Sequence, residues 1–179
     1  QHKKPGKSRG GKSNKPRDAD TADKYVLYEQ SVQSTEFEYE FIDTNFERLC
    51  GRKAKLLRED FCGTAQMCGE WVRGRDSNQA IGVDFDAEVL QWSRDNHIAA
   101  LSDEQSARVT LLQEDVRAVK TDPVDIVLAM NFSWQIFEER AVLRDYLASV
   151  RDSLVDDGVL FMDIFGGYEA YQELERKKL

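Results

Sequence analysis

The chain has 179 residues, of which 41% are apolar and 32% charged. That is enough for one soluble domain with its own core, and no apolar run approaches the ~20 residues that cross a bilayer. The formal charge is −8, yet residues 1–17 hold seven Lys/Arg and no acid, so the rest carries −15 and argues against a broad nucleic-acid groove.

Residues 1–17 are rich in Gly, Pro, Ser and Lys without apolar periodicity, and residues 1–19 are expected to be a disordered basic tail. Such an arm could touch RNA, DNA or an acidic surface; a solubilising tail or processing remnant is the simpler reading. The chain opens on Gln rather than Met and has no signal-peptide core near its start, so an upstream piece is expected to be missing. Residues 20–179 are read as one domain. Asp20 or Thr21 is placed to cap a first helix over residues 23–33. Thr35 with Glu38 reads as a capping box for a second helix, which carries Phe37, Phe41, Ile42, Phe46 and Leu49 and stops at Gly51.

From there strands and helices alternate. Strands are expected at 55–60, 79–84, 109–113, 124–130 and 159–165. Between them come a helix bearing Met67, Cys68, Trp71 and Val72, one starting at Asp86, a short one capped by Ser102 and Gln105, and a long one over about 138–154. A charged helix is expected after Gly166 and Gly167. Strands that read as apolar runs between helices imply an α/β, doubly wound, mainly parallel sheet covered on both faces.

Three cysteines (Cys50, Cys62, Cys68) form no C-x-x-C pair, and His2 and His97 are the only histidines. No metal site is expected. Unpaired thiols suit the cytoplasm or another reducing compartment, organelles included. His97, late in a helix, reads as a partner of the helix dipole. Trp71 and Trp92 read as core or sheet cover, whereas Trp134 follows a strand and is a candidate pocket residue.

In such a sheet a ligand sits beyond the carboxyl ends of the strands, where strand order reverses. Cys62, Gly63, Thr64 and Ala65 follow the first strand there, and Asp84 closes the second, 21 residues after Gly63. That spacing suits a carboxylate accepting from a ribose diol. Only Gly63 is a glycine between Phe61 and Ala65, a poor match to the G-x-G-x-x-G turn of a pyrophosphate reader. A ligand with adenine and ribose but no phosphate tolerates the bulkier turn.

The four stretches L-L-R-E-D-F-C-G-T-A, A-I-G-V-D-F-D, L-L-Q-E-D-V and D-I-V-L-A-M-N-F resemble, in order and spacing over residues 55–165, motifs I to IV of class I S-adenosylmethionine-dependent methyltransferases. The resemblance implies S-adenosylmethionine as cofactor, S-adenosylhomocysteine as product and transfer of a methyl group to an acceptor. It puts Glu59 at the motif I acid and Gly63 at the central glycine with Cys62 and Thr64 beside it. Asp84 takes the ribose position with Phe85 next to it, Asp115 the adenine position, and Val116 the neighbouring backbone N–H. Asn131 and Phe132 open the motif IV loop. Phe61 and Ala65 replace the outer glycines, and Asp60 stands where an apolar residue is usual. Strand alternation lets only one of Glu59 and Asp60 face the cofactor. Tyr28, with Tyr25, is a candidate lid aromatic near the sulfonium; amphipathic packing explains both equally well.

No catalytic base is assigned; Asn131 can orient an acceptor but cannot take its proton. A small-molecule acceptor fits the acidic body, while RNA or protein docked by the basic arm, or cofactor binding without transfer, are the alternatives. The family's sheet ends with two further strands, one antiparallel. Residues 168–179 hold only a charged helix, so a C-terminally shortened chain is expected.

Overall fold

A computed structural model describes residues 22–32 and 35–168. The chain divides into two units, residues 1–33 and 34–179. In the first unit lies helix α1 (Lys24–Val32). Asp23 caps it, its Oδ1 accepting from the Tyr25 N–H at 2.8 Å; Asp20 and Thr21, the expected caps, lie outside the described residues. The basic tail and the expected final helix lie outside them too.

The second unit opens with α2 (Thr35–Cys50). Thr35 is its first helical residue and buried, rather than the cap before it. Gly51 ends the helix with φ +68°, donating to the Glu47 carbonyl at 2.8 Å; a left-handed residue here is the usual helix stop. Then come β1 (Leu56–Asp60), α3 (Gln66–Gly74), β2 (Gln79–Asp84), α4 (Ala87–Ser93), α5 (Asp103–Ser106), β3 (Val109–Gln113), β4 (Val124–Ala129), α6 (Arg140–Ser153) and β5 (Leu154–Met162). A π-helical turn, Arg94–Ile98, extends α4, and a 3₁₀ turn, Ser133–Ile136, precedes α6. The Ser102–Gln105 capping box forms as expected, and Asp86 caps α4 by accepting from the Glu88 N–H.

The five strands are all parallel in the order β3-β2-β1-β4-β5. The order reverses between β1 and β4, and sheets of this kind hold ligands in the crevice beyond the carboxyl ends at such a point. β5 begins five residues earlier than the apolar run suggests: Leu154 pairs with Val124, and regular pairing resumes with Val159 opposite Ile126. Asp163 and Phe165 therefore lie past the strand end, not inside it.

Each face of the sheet has its own core. Leu57, Ala80, Ile126 and Leu128 pack with Ile42 and Phe46 of α2, Met67, Cys68 and Trp71 of α3, and Leu90 of α4. Val83, Val124, Val127 and Ala129 pack with Tyr146 and Val150 of α6. Trp71 is fully buried and its indole N–H donates to the Lys55 carbonyl at 3.1 Å. An Arg75–Asp43 pair ties the end of α3 to α2, with bonds of 2.7 and 2.8 Å.

Candidate functional site

β1 delivers two different acids to its two faces. Arg58 and Asp60 point toward α6, where both are buried. Arg58 Nε and Nη2 donate to the two Asp60 oxygens at 2.8 and 3.1 Å, and the Tyr146 hydroxyl donates to Asp60 Oδ2 at 2.9 Å. Arg58 also reaches the Ser153 hydroxyl at 2.9 Å. These partners commit the Asp60 carboxylate to a structural ion pair beneath α6. Glu59 points to the other face, toward α3, and the Cys68 thiol donates to its Oε2 at 3.1 Å. Glu59 is only 6% exposed. Burial pushes its carboxyl up to about 8, with the Cys68 hydrogen bond opposing the shift. The same burial pushes the Cys62 and Cys68 thiols up.

The turn after β1 keeps a glycine-type backbone without the glycines. Phe61 has φ +59°, Gly63 φ +50° and Ala65 φ +54°. A non-glycine residue in this left-handed region costs about 1–2 kcal/mol. The cost is met by anchoring: the Cys62 N–H donates to the Val83 carbonyl at 3.0 Å, and the Ala65 N–H to the Cys62 carbonyl at 2.7 Å. Phe61 is wedged between Phe137 and Tyr146, with ring centroids 5.8 and 6.0 Å away. No side chain caps the N-terminus of α3. The Thr64 hydroxyl is buried without a hydrogen-bond partner.

Asp84 is built into this turn. Its Oδ2 accepts from the Gly63 N–H at 2.8 Å, and its Oδ1 from the Asp86 N–H at 2.9 Å. Each oxygen keeps a lone pair for a further donor. Beside it opens a cavity of about 340 Å³ lined by Phe61, Asp84, Phe85, Asp115, Val116 and Phe137, among others. The volume lies at the small end of the ~300–1,000 Å³ range of ligand sites. Asp115 is bridged by Arg117, whose Nε lies 3.0 and 3.1 Å from its two oxygens; this pairing holds the Asp115 carboxyl below the usual range.

The turn after β4 also runs left-handed, at Asn131 (φ +56°) and Phe132 (φ +58°). Asp163, just past β5, fixes it: its carboxylate accepts from the Asn131 and Phe132 N–H groups, both at 2.9 Å. The Trp134 indole donates to the Asp163 carbonyl at 2.7 Å. Phe132 packs edge-on against Phe165 at 5.6 Å.

The cavity thus gathers Phe61, Asp84, Phe85, Asp115 and Val116 of the sequence candidates. Cys62 and Thr64 are buried under the turn, and Glu59 lies on the α3 face of the sheet. Asn131 and Phe132 form a separate turn beyond β4. Tyr28 belongs to the first unit, 43% exposed on α1. Sequence reasoning missed Arg117, Phe137 and Asp163. A polar residue following Val116, an aromatic in a short turn and an acid assigned to a strand carry no periodic signal. Among the described residues no group of His, Cys, Asp or Glu could hold a metal ion, and no helix is long and apolar enough to cross a membrane.

No protein-family model matches the chain, and no curated protein sequence matches it. Solved structures do. One is CalS10 bound to S-adenosylmethionine, an amino pentose methyltransferase from Micromonospora echinaspora; it is 17% identical with a TM-score of 0.66, over 81% of this chain and 57% of that one. Its resemblance in fold is decisive. The chain has the class I methyltransferase fold. KedS8, a sugar N-methyltransferase from Streptoalloteichus sp ATCC 53650, matches at 18% identity and TM-score 0.66, over 95% of this chain and 64% of that one. The glycopeptide N-methyltransferase MtfA, complexed with S-adenosylmethionine, matches at 22% identity and TM-score 0.59, over 76% and 59%. The chain therefore spans less than two thirds of the length of each of these methyltransferases.

Proposed function

We propose that the chain is the cofactor-binding part of an S-adenosylmethionine-dependent methyltransferase, with the cofactor in the crevice beyond β1, β2 and β3. The observation that carries this reading is Asp84: a carboxylate clamped by the amides of Gly63 and Asp86, beside the cavity that Asp115 and Val116 also line. The residues fit the group. Asp84 has an unused lone pair on each oxygen for the two ribose hydroxyls. Asp115 and Val116 line the same cavity, which supports reading the Asp115 carboxylate as acceptor for an adenine amino group with the Val116 N–H beside it. The orphan Thr64 hydroxyl and the start of α3, which no side chain caps, leave polar groups of the turn without a protein partner.

When bound, the sulfonium supplies an activated methyl group for in-line displacement. The chain's own part is orientation and exclusion of water. Phe61 and Phe137 wall the cavity, and the two left-handed turns hold the crevice open at the point where strand order reverses. Of the two β1 acids, Asp60 is held beneath α6 by Arg58 and Tyr146, while Glu59 lies on the α3 face with the Cys68 thiol on its Oε2; on this reading Glu59 supports the turn from below. Asn131 and Phe132 belong to the neighbouring turn and serve the acceptor side.

The acceptor is a small molecule on this reading. The body is acidic, and the matched structures are described as acting on an amino pentose, a sugar and a glycopeptide. The free thiols Cys50, Cys62 and Cys68 support a reducing compartment. Calorimetry with S-adenosylmethionine, S-adenosylhomocysteine and NAD tests the cofactor. The first two bind and NAD does not, and Asp84→Asn weakens S-adenosylhomocysteine at least ~10-fold, because loss of a charged hydrogen-bonding partner is worth about 1.5–3 kcal/mol. Binding of NAD alone refutes the proposal.

A further inference from the structure

Arg117 does not belong to the ligand constellation read from the sequence, yet it occupies part of it. Its side chain is half exposed at the rim of the cavity, and its guanidinium forks over the carboxylate of Asp115. Its own backbone N–H donates to Asp115 Oδ1 at 2.9 Å, so Asp115 is placed by the main chain whatever the guanidinium does. An adenine edge offers one amino donor and one ring-nitrogen acceptor in this region. Asp115 and the Val116 N–H are sufficient to meet both. The edge leaves no acceptor for the guanidinium, which meanwhile covers the oxygens that the amino group must reach.

We propose that Arg117 is a specificity-determining residue that masks Asp115 in the free protein and must swing off before an adenine amino group can bind. The inference rests on the cofactor reading above. It has a consequence for base choice. A hypoxanthine base carries an oxygen in place of the amino group and a proton on the ring nitrogen beside it, so it also loses the acceptor that the Val116 N–H would meet. That oxygen can accept from Arg117 while the fork stays closed, but it faces a bare carboxylate once Arg117 is removed. Arg117 therefore narrows the preference for adenine over hypoxanthine, and deleting it widens that preference.

The test compares wild type, Arg117→Ala and Arg117→Lys by calorimetry, with S-adenosylhomocysteine and its deaminated analogue S-inosylhomocysteine as probes. Half-exposed ion pairs of this kind are modest in strength. Arg117→Ala is therefore expected to bind S-adenosylhomocysteine roughly two- to fivefold tighter than wild type, and S-inosylhomocysteine no tighter or weaker. Arg117→Lys keeps the charge but not the planar fork and falls between. Raising salt from about 0.05 to 0.5 M tightens S-adenosylhomocysteine binding in wild type, because the pair is screened, and leaves Arg117→Ala unchanged. Unchanged or weaker S-adenosylhomocysteine binding in Arg117→Ala overturns the masking role, and weaker binding would place the guanidinium on the ligand's side. Failure of S-adenosylhomocysteine to bind wild type removes the cofactor reading itself; binding to wild type without a gain in the variant removes only this inference.

Discussion

Glu59→Gln probes the buried carboxyl behind the turn that follows β1. In the unfolded chain this group titrates near its ordinary value of 4.5, and in the folded protein burial pushes it up to about 8. Between those two values the folded chain holds a proton that the unfolded chain has released. Unfolding then liberates a proton, so stability falls as pH rises through this window and levels off above about 8, where both states are ionised. Each pH unit in the window changes stability by about 1.4 kcal/mol. Glutamine keeps the shape and an acceptor for the Cys68 thiol, 3.1 Å from Oε2 in the native protein, but does not titrate. Relative to wild type, the variant is expected to differ by less than about 1 kcal/mol at pH 5 and to be more stable by about 3 kcal/mol at pH 7. The assay is urea denaturation of both proteins from pH 5 to pH 9, with the linear-extrapolation slopes compared to verify that both unfold alike. A gap that stays constant between pH 5 and pH 8, or a variant less stable than wild type at pH 7, refutes the reasoning.

Two further predictions concern the packing that supports the site. Asp60→Ala strands the buried guanidinium of Arg58 and is expected to cost about 3–5 kcal/mol, while the combined change Arg58→Met, Asp60→Leu, Tyr146→Phe recovers most of that loss, because replacing a whole buried ion pair with apolar groups is near neutral; denaturation curves that show Asp60→Ala costing less than about 1 kcal/mol count against the network. Gly82→Ala brings a Cβ to 2.8 Å from Leu111 Cδ2 and 2.9 Å from Cys62 Sγ, and is expected to cost about 1–3 kcal/mol through overpacking under the ligand turn; thermal melts indistinguishable from wild type would refute it.

Much of this was legible in the residues themselves. β2 and β3 are bounded by the apolar runs QAIGVD and VTLLQ and fall where periodicity puts them. Parallel pairing follows from apolar strands alternating with helices, and Asp84, 21 residues after Gly63, does close β2 and bond the Gly63 N–H. What failed has physical causes. β5 starts at Leu154 because that residue pairs with Val124 before the register skips, while the residues that follow, Val155 to Gly158, include two exposed acids and a glycine that look like a loop. Asp163 was consequently placed within a strand when it caps the neighbouring turn. The choice between Glu59 and Asp60 needed the third dimension: Arg58 two residues away is an unlikely core residue by type, and only Tyr146 and Ser153 on α6 explain why it is buried. The first helix starts at Lys24, one residue later than the apolar pattern suggests, and Asp23 stands at its cap.

The placement of β1 in the middle of the sheet has a consequence for the order in which the protein can be assembled. Leu57 meets Ala80 on one side but waits for Ile126 on the other, and Arg58 finds the Tyr146 hydroxyl's partner Asp60 at once but the α6 contacts only after a further ninety residues or so of chain, with Ser153 lying 95 residues away. Contacts so distant in sequence are slow to close, since the connecting chain must be ordered first. A ribosome-bound chain that ends before α6 holds a charged strand whose second cover does not yet exist, and Phe61 in the turn after β1 cannot complete its contacts with Phe137 and Tyr146 until that segment has been made.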